Sequence, residues 1–373
     1  MLLSTTRRTL SAPSSWHAWR CVQTAARLNL AYDLHEPPKP RTTPDNAPIL
    51  FLHGLFGSKK NNRGMSKALA RDLGRYVYAL DLRNHGESPH DKQHDYLSMA
   101  EDVSSFISHH GLQNTTLIGH SMGAKTAMTL ALKSPESIAD IVAVDNAPVD
   151  ALLSSDFPSY IRGMKKVDRS HVTKLAEADK ILQEVEKSLP IRQFLLGNLH
   201  RQPGQNTQTF RIPLDTLGAA LNHLGDFPFK DPSQVRFEKP ALFVRGTKSK
   251  YVPDEVLPAV GQFFPKFRLV DIEAGHWVIS EQPEEFRRGS SAEFNREGTL
   301  ANLISSCCRI SAKTGITYKA KAKPVASNRP PILCMMRRVT DPSPRAPELA
   351  LYLDSGGPSQ ATPIATGQEF FSQ

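Results

Sequence analysis

The chain has 373 residues and a formal net charge of +9, a length that can bury one large core or two ordinary ones. Residues 1–32 carry +4 and residues 287–373 carry +6, so the segment between them sums to −1. The basic excess lies in the two ends, and the central segment has no electrostatic basis for binding nucleic acid.

The cysteines are distributed in the same way, at positions 21, 307, 308 and 334. Residues 33–286 therefore contain no disulfide framework and no CxxC metal pair, as expected in a reducing compartment. No apolar run approaches the roughly 18–20 residues that a membrane span requires. We predict that no part of the chain spans a membrane.

The first 32 residues contain arginines at positions 7, 8, 20 and 27 and no acidic residue. Leucine, tryptophan and valine are scattered among serine and threonine, which is typical of a presequence for import into the mitochondrial matrix. A continuous apolar core like that of a secretory signal is missing. We predict that 1–32 is a mitochondrial presequence; the alternative is an unstructured leader on a cytosolic protein.

Short apolar runs then alternate with amphipathic patterns. The runs that predict buried strands are 47–54, 76–86, 115–121, 138–148, 240–246 and 267–277. Helical spacing of apolar residues covers 65–74, 96–111, 123–136 and 254–265. This alternation predicts an α/β domain over 33–288, with a mostly parallel sheet covered by helices on both faces. Residues 27–36 add a candidate antiparallel edge strand.

Residues 150–236 break the alternation. Apolar residues repeat with helical spacing over 171–189 and 214–227, and the only strand signal is "QTFRIP". An insertion between two strands lies above the carboxyl edge of a parallel sheet, where ligand crevices form. We predict a helical cap that shapes an apolar pocket.

Residues 289–373 show neither sustained helical nor strand periodicity. They are rich in serine, proline, lysine and arginine, a composition that buries too little apolar surface to offset chain entropy. We predict a tail of low order, with a basic interaction tail as the alternative.

The segment Gly119-His120-Ser121-Met122-Gly123 fits the pattern G-x-S-x-G. It follows a predicted strand and opens a predicted helix, the setting in which a sharp turn raises a serine hydroxyl above the sheet. Ser121 is therefore a candidate nucleophile; the alternative is a packing turn with an idle serine. The Met122 N–H and the Leu55 N–H, after "HG" at the end of an earlier strand, are candidate oxyanion donors. His53 is expected to be a structural hydrogen-bonding residue.

A nucleophile on such a turn is followed in the chain by an acid and then by a histidine base. His276, directly after the last predicted strand, is the candidate base. His85 precedes the turn, and His200 and His223 lie in the predicted cap, so these three are expected to be ordinary core or surface residues.

The acidic residue that would orient the histidine base is missing from its usual position in the chain. Many hydrolases of this plan carry it in a G-x-x-D loop after the penultimate strand, but here Ser249 occupies that position. Asp145 ends the strand that follows the predicted helix 123–136, the helix after Ser121 (the elbow helix), and so lies at the same sheet edge as Ser121. Asp215 in the cap is the alternative acid, and Asp145 has the alternative role of capping a turn.

Together these residues predict an acyl-enzyme mechanism. His276 takes the proton of Ser121, which attacks an acyl carbonyl while the Leu55 and Met122 N–H groups stabilise the oxyanion. Water or an alcohol then releases the acyl group. Neither a metal-binding cluster nor a phosphate-binding glycine loop is evident, so no cofactor is predicted.

Five segments, "HGLFGS", "DLRNHGES", "GHSMGAK", "VDNAPVD" and "AGHW", occur in this order. They resemble one branch of the α/β-hydrolase superfamily: the mitochondrial abhydrolase-domain ester hydrolases, their bacterial short-chain esterase relatives and the yeast ethanol acetyltransferases. The resemblance covers about residues 45–288. It implies the α/β-hydrolase fold, small-molecule ester or thioester substrates, acyl transfer to an alcohol in the yeast members, and Asp145 as the acid.

The chain departs from these relatives after "PEEFRR", where Gly289 is expected to end the last helix and weaken the support under His276. The unrelated residues that follow are also interpretable as a gene-model error or read-through. The resulting hypothesis is a serine-dependent (thio)ester hydrolase. The alternatives are an alcohol acyltransferase and a catalytically idle binding partner in mitochondria, which has no chemical reason to keep Ser121, Asp145 and His276.

Overall fold

The computed structural model forms two compact units, Met1–Ala292 and Glu293–Gln373. The residues that it describes are 28–39, 47–151 and 156–296, with three strands at 318–324, 332–338 and 349–353.

The first unit is built on a seven-stranded sheet with a two-stranded hairpin in its cap. Its strands are β1 (Tyr32–His35), β2 (Ile49–Leu52), β3 (Val77–Leu80), β4 (Thr115–His120), β5 (Ile138–Val144), β6 (Leu199–Arg201), β7 (Gln208–Phe210), β8 (Ala241–Gly246) and β9 (Phe267–Ile272). The large sheet has the order β1-β3-β2-β4-β5-β8-β9. Only β1 pairs antiparallel, as the edge strand beside β3. The predicted mostly parallel α/β sheet is confirmed.

Helices cover the sheet. They are α1 (Arg63–Leu73), α2 (Tyr96–His109), α3 (Met122–Lys133), α4 (Asp156–Arg169), α5 (Leu175–Leu182), α6 (Leu189–Leu196), α7 (Leu214–Gly225), α8 (Leu257–Phe263), α9 (Val278–Glu281) and α10 (Pro283–Arg296). Local sequence explains several ends: α1 stops at Gly74 in the left-handed conformation, and Asp95 caps α2 by accepting from the Ser98 N–H. In the described ranges, no helix is long and apolar enough to cross a membrane.

The core lies around β2, β4 and β5. Every residue of β2 and β4 is buried, as expected for central parallel strands covered on both faces. Helix α3 is buried along residues 122–132, which explains its small and apolar composition on every side. The helix that follows Ser121 is therefore a rigid part of the core.

The predicted cap is confirmed as an insertion between β5 and β8 that contains α4–α7 and the β6–β7 hairpin. The two ends of the insertion meet, because the Ala151 N–H donates to the Gly225 carbonyl at 2.9 Å. The Phe227 N–H donates to Asp150 Oδ1 at 2.7 Å. The buried Lys125 Nζ of α3 donates to the carbonyls of Gly225 and Asp226 at 2.9 and 3.1 Å. The cap is thus attached to the elbow helix.

The antiparallel edge strand predicted within 27–36 is observed as β1, and the residues just before it are also packed. Leu30 is buried, the Leu28 N–H donates to Asp102 Oδ1 at 3.3 Å, and the Asp81 N–H donates to the Ala31 carbonyl at 2.8 Å. The predicted presequence, residues 1–32, therefore overlaps packed residues at 28–32. The rest of the predicted presequence, residues 1–27, lies outside the described residues.

Helix α10 continues through Gly289 to Arg296, so the predicted helix end at Gly289 is wrong. A mid-helix glycine costs only about 1 kcal/mol relative to alanine. The second unit contains an antiparallel sheet of β10 (Tyr318–Pro324), β11 (Ile332–Arg338) and β12 (Leu349–Leu353), in that order. These strands were not predicted; the low-order prediction for the other residues of the tail falls outside the described part.

Candidate active site

The turn from β4 into α3 carries Ser121 in a strained conformation, with φ +54° and ψ −113°. Such a conformation costs on the order of 1–3 kcal/mol for a residue other than glycine and persists only where the surroundings enforce it. A Cβ at Gly119 would lie 2.2 Å from the Gly123 carbonyl oxygen, and one at Gly123 would lie 2.4 Å from the Leu52 carbonyl oxygen. Both flanking glycines are therefore required for the close approach of strand and helix.

Ser121, His276 and Asp145 form one hydrogen-bonded chain. Ser121 Oγ lies 2.9 Å from His276 Nε2, and His276 Nδ1 lies 2.7 Å from Asp145 Oδ2. Because a carboxylate only accepts hydrogen bonds, Nδ1 donates to Asp145 and Nε2 is free to accept from the Ser121 hydroxyl. The structure thus brings together the three side chains selected from the sequence.

Asp145 is fully buried immediately after β5. Its Oδ1 accepts from the Gly246 N–H at 3.0 Å, and its Oδ2 accepts from the Ser249 hydroxyl as well as from His276. Ser249 occupies the position where a G-x-x-D loop would carry the acid. The role of Ser249 as a donor to the displaced carboxylate was not predicted, although the departure from the G-x-x-D pattern was a signal for it.

The alternative acid, Asp215, is not brought to this site. It lies on α7 in the cap with 97% of its side chain exposed, and it pairs with Lys165 Nζ at 2.6 Å. An exposed ion pair of this kind is a surface feature of the cap.

The His276 loop is supported from three directions. The Tyr251 ring stacks on the imidazole at a centroid distance of 4.1 Å. The His120 Nε2 and the His276 carbonyl oxygen are 2.7 Å apart, and burial lowers the pKa of His120 to about 4, so this ring is neutral and donates the bond. The Gly275 N–H donates to the Glu281 carboxylate of α9 at 2.7 Å. We expected the support of His276 to depend on the last helix, but it comes from these contacts.

The loop after β2 passes directly against Ser121. A Cβ at Gly54 would lie 3.3 Å from Ser121 Cβ. The Gly54 carbonyl accepts from the Gly57 N–H at 2.9 Å and lies 2.8 Å from His53 Nδ1. In a trans peptide the N–H points opposite to the carbonyl, so the Leu55 N–H points away from these two groups. Among the described residues, neither the Leu55 nor the Met122 N–H has a hydrogen-bond acceptor.

Two buried histidines fix the same loop. His53 Nε2 accepts from the Leu82 N–H at 3.0 Å, and His85 Nε2 accepts from the Phe56 N–H at 3.1 Å. Burial lowers the pKa of both rings, which keeps them neutral and able to accept. His53 and His85 therefore have the structural roles expected from the sequence.

No three His, Cys, Asp or Glu side chains converge as a metal site in the part of the chain that the structure describes. The chemistry of the site is carried by the hydroxyl, imidazole and carboxylate described above. A serine on a strand-to-helix turn, linked to a histidine and a carboxylate at the carboxyl edge of a mostly parallel sheet, is the arrangement of an α/β-hydrolase.

The chain belongs to the α/β hydrolase fold family, whose model matches residues 47–283. It is 36% identical over 317 residues to the sn-1-specific diacylglycerol lipase ABHD11 of Xenopus tropicalis, covering 76% of this chain and 95% of that protein. It is 30% identical over 284 residues to ethanol acetyltransferase 1 of Cyberlindnera fabianii, covering 70% of this chain and 85% of that protein.

Among solved structures, a marine microorganism esterase is similar with a TM-score of 0.65 and 31% identity, covering 72% of this chain and 99% of that one. The relatives are hydrolases and acyltransferases, so the family is one of enzymes. The resemblance to the abhydrolase-domain branch is confirmed.

Proposed function

We propose that the protein is a serine-dependent hydrolase of carboxylic esters and thioesters. The observation that carries this proposal is the hydrogen-bonded chain from Ser121 Oγ through the His276 imidazole to the buried Asp145 carboxylate. Similarity to a diacylglycerol lipase and to a solved esterase supports the same class of reaction.

In the first half-reaction, Ser121 Oγ attacks the acyl carbonyl carbon while His276 Nε2 takes the hydroxyl proton. The developing oxyanion accepts from the Leu55 and Met122 N–H groups, and Asp145 stabilises the imidazolium. When the tetrahedral intermediate collapses, the bond to the leaving oxygen or sulfur breaks and His276 donates its proton to that atom. The products of this half-reaction are an acyl-serine and a free alcohol or thiol.

In the second half-reaction, a water molecule gives a proton to His276 Nε2 and attacks the acyl-serine. Collapse returns the proton to Ser121 Oγ and releases a carboxylic acid. The Met122 N–H is at the first turn of α3, where the helix dipole adds to the stabilisation of negative charge. Loss of one oxyanion donor typically lowers kcat by about 10²–10³.

The second candidate function is acyl transfer, in which an alcohol replaces water in the deacylation step. Similarity to an ethanol acetyltransferase favours it. Incubation with a thioester acyl donor and excess ethanol distinguishes the two, because hydrolysis yields the free acid and transfer yields the ethyl ester. A catalytically idle binding partner is the third possibility, and it yields neither product.

We also propose that the protein acts in mitochondria, in the matrix. The support is the acid-free, arginine-containing composition of the first residues of the chain. Import of the full chain into isolated, energised mitochondria tests this, and a protein that stays protease-accessible outside the organelle contradicts it.

A fluorophosphonate probe tests the catalytic proposal, because it reacts covalently with an activated serine. We expect the folded protein to be labelled at Ser121 and the Ser121→Ala variant to be unlabelled. Ser170→Ala is a matched control, since Ser170 is exposed and its hydroxyl bonds only the Lys166 carbonyl within the described structure. Labelling should survive that change, and a folded wild type without labelling contradicts the enzyme proposal.

A further inference from the structure

The loop after β2, which carries the Leu55 N–H, makes a tight turn over residues 54–57. The Gly57 N–H donates to the Gly54 carbonyl at 2.9 Å, and Phe56, the third residue of the turn, has a φ of +62°. A positive φ at that position is typical of a type II turn and favours glycine. For phenylalanine it is a strained conformation, so contacts from outside the turn must hold it in place.

A residue of the cap contacts this turn. Asn198 lies between α6 and β6, is 7% exposed, and donates from its Nδ2 to the Phe56 carbonyl at 2.8 Å. The same Nδ2 lies 3.2 Å from the Leu195 carbonyl. Because a carbonyl oxygen only accepts hydrogen bonds, the amide nitrogen of Asn198 must face these two groups. The Phe157 ring of α4 lies 6.0 Å from the Phe56 ring and is a second contact of the cap with the turn.

The backbone of Asn198 is itself fixed within the cap. Its N–H donates to the Leu195 carbonyl at 3.1 Å, and its carbonyl accepts from the N–H of Arg211, the residue after β7, at 2.9 Å. Asn198 is thus held between the end of α6 and the β6–β7 hairpin. The donor that it presents to Phe56 therefore takes its position from the cap.

The bond from Asn198 starts a chain of hydrogen bonds that leads to the oxyanion donor. The Phe56 carbonyl and the Gly57 N–H belong to one peptide unit, and that N–H binds the Gly54 carbonyl. The Gly54 carbonyl and the Leu55 N–H belong to a second peptide unit. In a planar trans peptide the N–H points opposite to the carbonyl, so a bond to the carbonyl fixes the direction of the N–H. Each bond also polarises the unit that it contacts, which strengthens the next donor.

We propose that Asn198 is a positioning residue for the oxyanion hole, because its side-chain amide orients and polarises the Leu55 N–H through the turn at 54–57. The inference rests on the proposed function, in which the Leu55 N–H binds the oxyanion. It connects the cap to the chemical step, since the group that holds the donor belongs to the cap. The cap then contributes to the stabilisation of the transition state.

The expected effect is smaller than the loss of a whole oxyanion donor, because the turn has a second support. The Gly54 carbonyl lies 2.8 Å from His53 Nδ1. That nitrogen carries the ring proton and donates it, since His53 Nε2 accepts from the Leu82 N–H. With His53 in place, we expect Asn198→Leu to lower kcat/KM for a simple acetate ester about tenfold, the effect of one lost hydrogen bond.

Asn198→Leu keeps approximately the size of the side chain and removes the donor. Asp168→Leu is the matched control, because the Asp168 carboxylate accepts from the Phe210 N–H at 2.9 Å. This control also removes one side-chain hydrogen bond of the cap, but that bond joins α4 to β7 and does not reach the turn. The kcat/KM of Asp168→Leu should stay within about twofold of the wild type, and thermal unfolding checks that both variants fold.

A trifluoromethyl alkyl ketone distinguishes a role in the oxyanion hole from a role in stability. Ser121 Oγ adds to its carbonyl carbon, the hydroxyl proton passes to His276, and the former carbonyl oxygen becomes the oxyanion. The Ki of the ketone should rise in Asn198→Leu by the factor by which kcat/KM falls, because the adduct uses the same interactions as the transition state. The Ki of the corresponding trifluoromethyl alcohol, which forms no adduct, should not change.

The inference is wrong if kcat/KM falls in Asn198→Leu while the Ki of the ketone does not change, or if Asp168→Leu loses as much activity. An unchanged kcat/KM in Asn198→Leu would also refute it, because His53 alone would then fix the turn. Asn198→Ala lacks the donor and cannot overlap its neighbours, so it provides the same test if Asn198→Leu does not fold. A wild type that hydrolyses no ester and is not labelled at Ser121 would instead defeat the proposed function.

Discussion

Replacement of Asp145 by asparagine should remove most of the activity by imposing the wrong tautomer on His276. The Gly246 N–H donates to Asp145 Oδ1, so the oxygen of an asparagine amide must keep facing Gly246. Its NH₂ group then faces His276 Nδ1, where the native carboxylate oxygen accepts at 2.7 Å. Because two donors cannot face each other, the imidazole proton moves to Nε2. Nε2 can then no longer accept the proton of Ser121.

The expected size of the effect is that of the same substitution in serine proteases, where the wrong histidine tautomer lowers kcat by about 10⁴-fold. This corresponds to about 5 kcal/mol of transition-state stabilisation. The asparagine keeps its bond to Gly246 and has the same shape, so the fold should be retained.

The assay is kcat/KM for a simple acetate ester, with the rate of fluorophosphonate labelling as a second measure of Ser121 reactivity and thermal unfolding as a check on the fold. Asp215→Asn is the matched control, since Asp215 is exposed and pairs only with Lys165 within the described structure. Its activity should stay within twofold of the wild type. The reasoning is refuted if Asp145→Asn keeps more than a tenth of the activity, or if Asp215→Asn is the variant that loses it.

Three further predictions concern the surroundings of the site. Ser249→Ala removes a donor to Asp145, a change of about 1 kcal/mol that should lower kcat/KM about fivefold in the same ester assay. Burial lowers the pKa of Lys125 from its usual 10.5 to about 8. At pH values between 8 and 10.5 the unfolded state therefore binds more protons than the folded state. The stability of the wild type relative to Lys125→Met should therefore rise from pH 8 to 10.5, by up to about 3 kcal/mol in urea unfolding; a flat difference would contradict this. Gly123→Ala should lower the melting temperature strongly, because its Cβ would lie 2.4 Å from the Leu52 carbonyl oxygen, whereas Gly64→Ala, whose Cβ meets no described atom within 4 Å, should not.

Much of the fold could be predicted because its elements follow local rules. Buried parallel strands are short apolar runs in the sequence, and the covering helices have apolar residues repeated every three or four positions. These two patterns predict the order of the elements and the place of the cap. Asp145 and His276 could be placed together because each follows a strand, and the carboxyl ends of parallel strands lie at the same edge of the sheet.

Tertiary contacts decided the features that the sequence analysis missed. The role of Ser249 depends on the approach of the β8 loop to Asp145 across the sheet, which no local pattern encodes. The packing of the residues before β1 depends on the Leu28 N–H reaching Asp102 of α2 and on the Ala31 carbonyl reaching the Asp81 N–H, and composition does not mark these contacts. Helix α10 passes Gly289 because one glycine costs about 1 kcal/mol, less than packing along a helix can supply.

The closed base of the cap has a consequence for how this enzyme can diversify. The cap is inserted between β5, which ends at Val144, and β8, which begins at Ala241, and a 2.9 Å hydrogen bond from the Ala151 N–H to the Gly225 carbonyl closes its base. A segment whose ends meet can be lengthened, shortened or exchanged while the strands on either side keep their register, because the entropy of closing a loop grows only slowly with its length. Ser121, Asp145 and His276 all lie outside this segment, so a change in its length leaves the reacting groups on unchanged strands. Transplanting residues 151–225 from a relative should transfer selectivity while leaving the reacting groups in place.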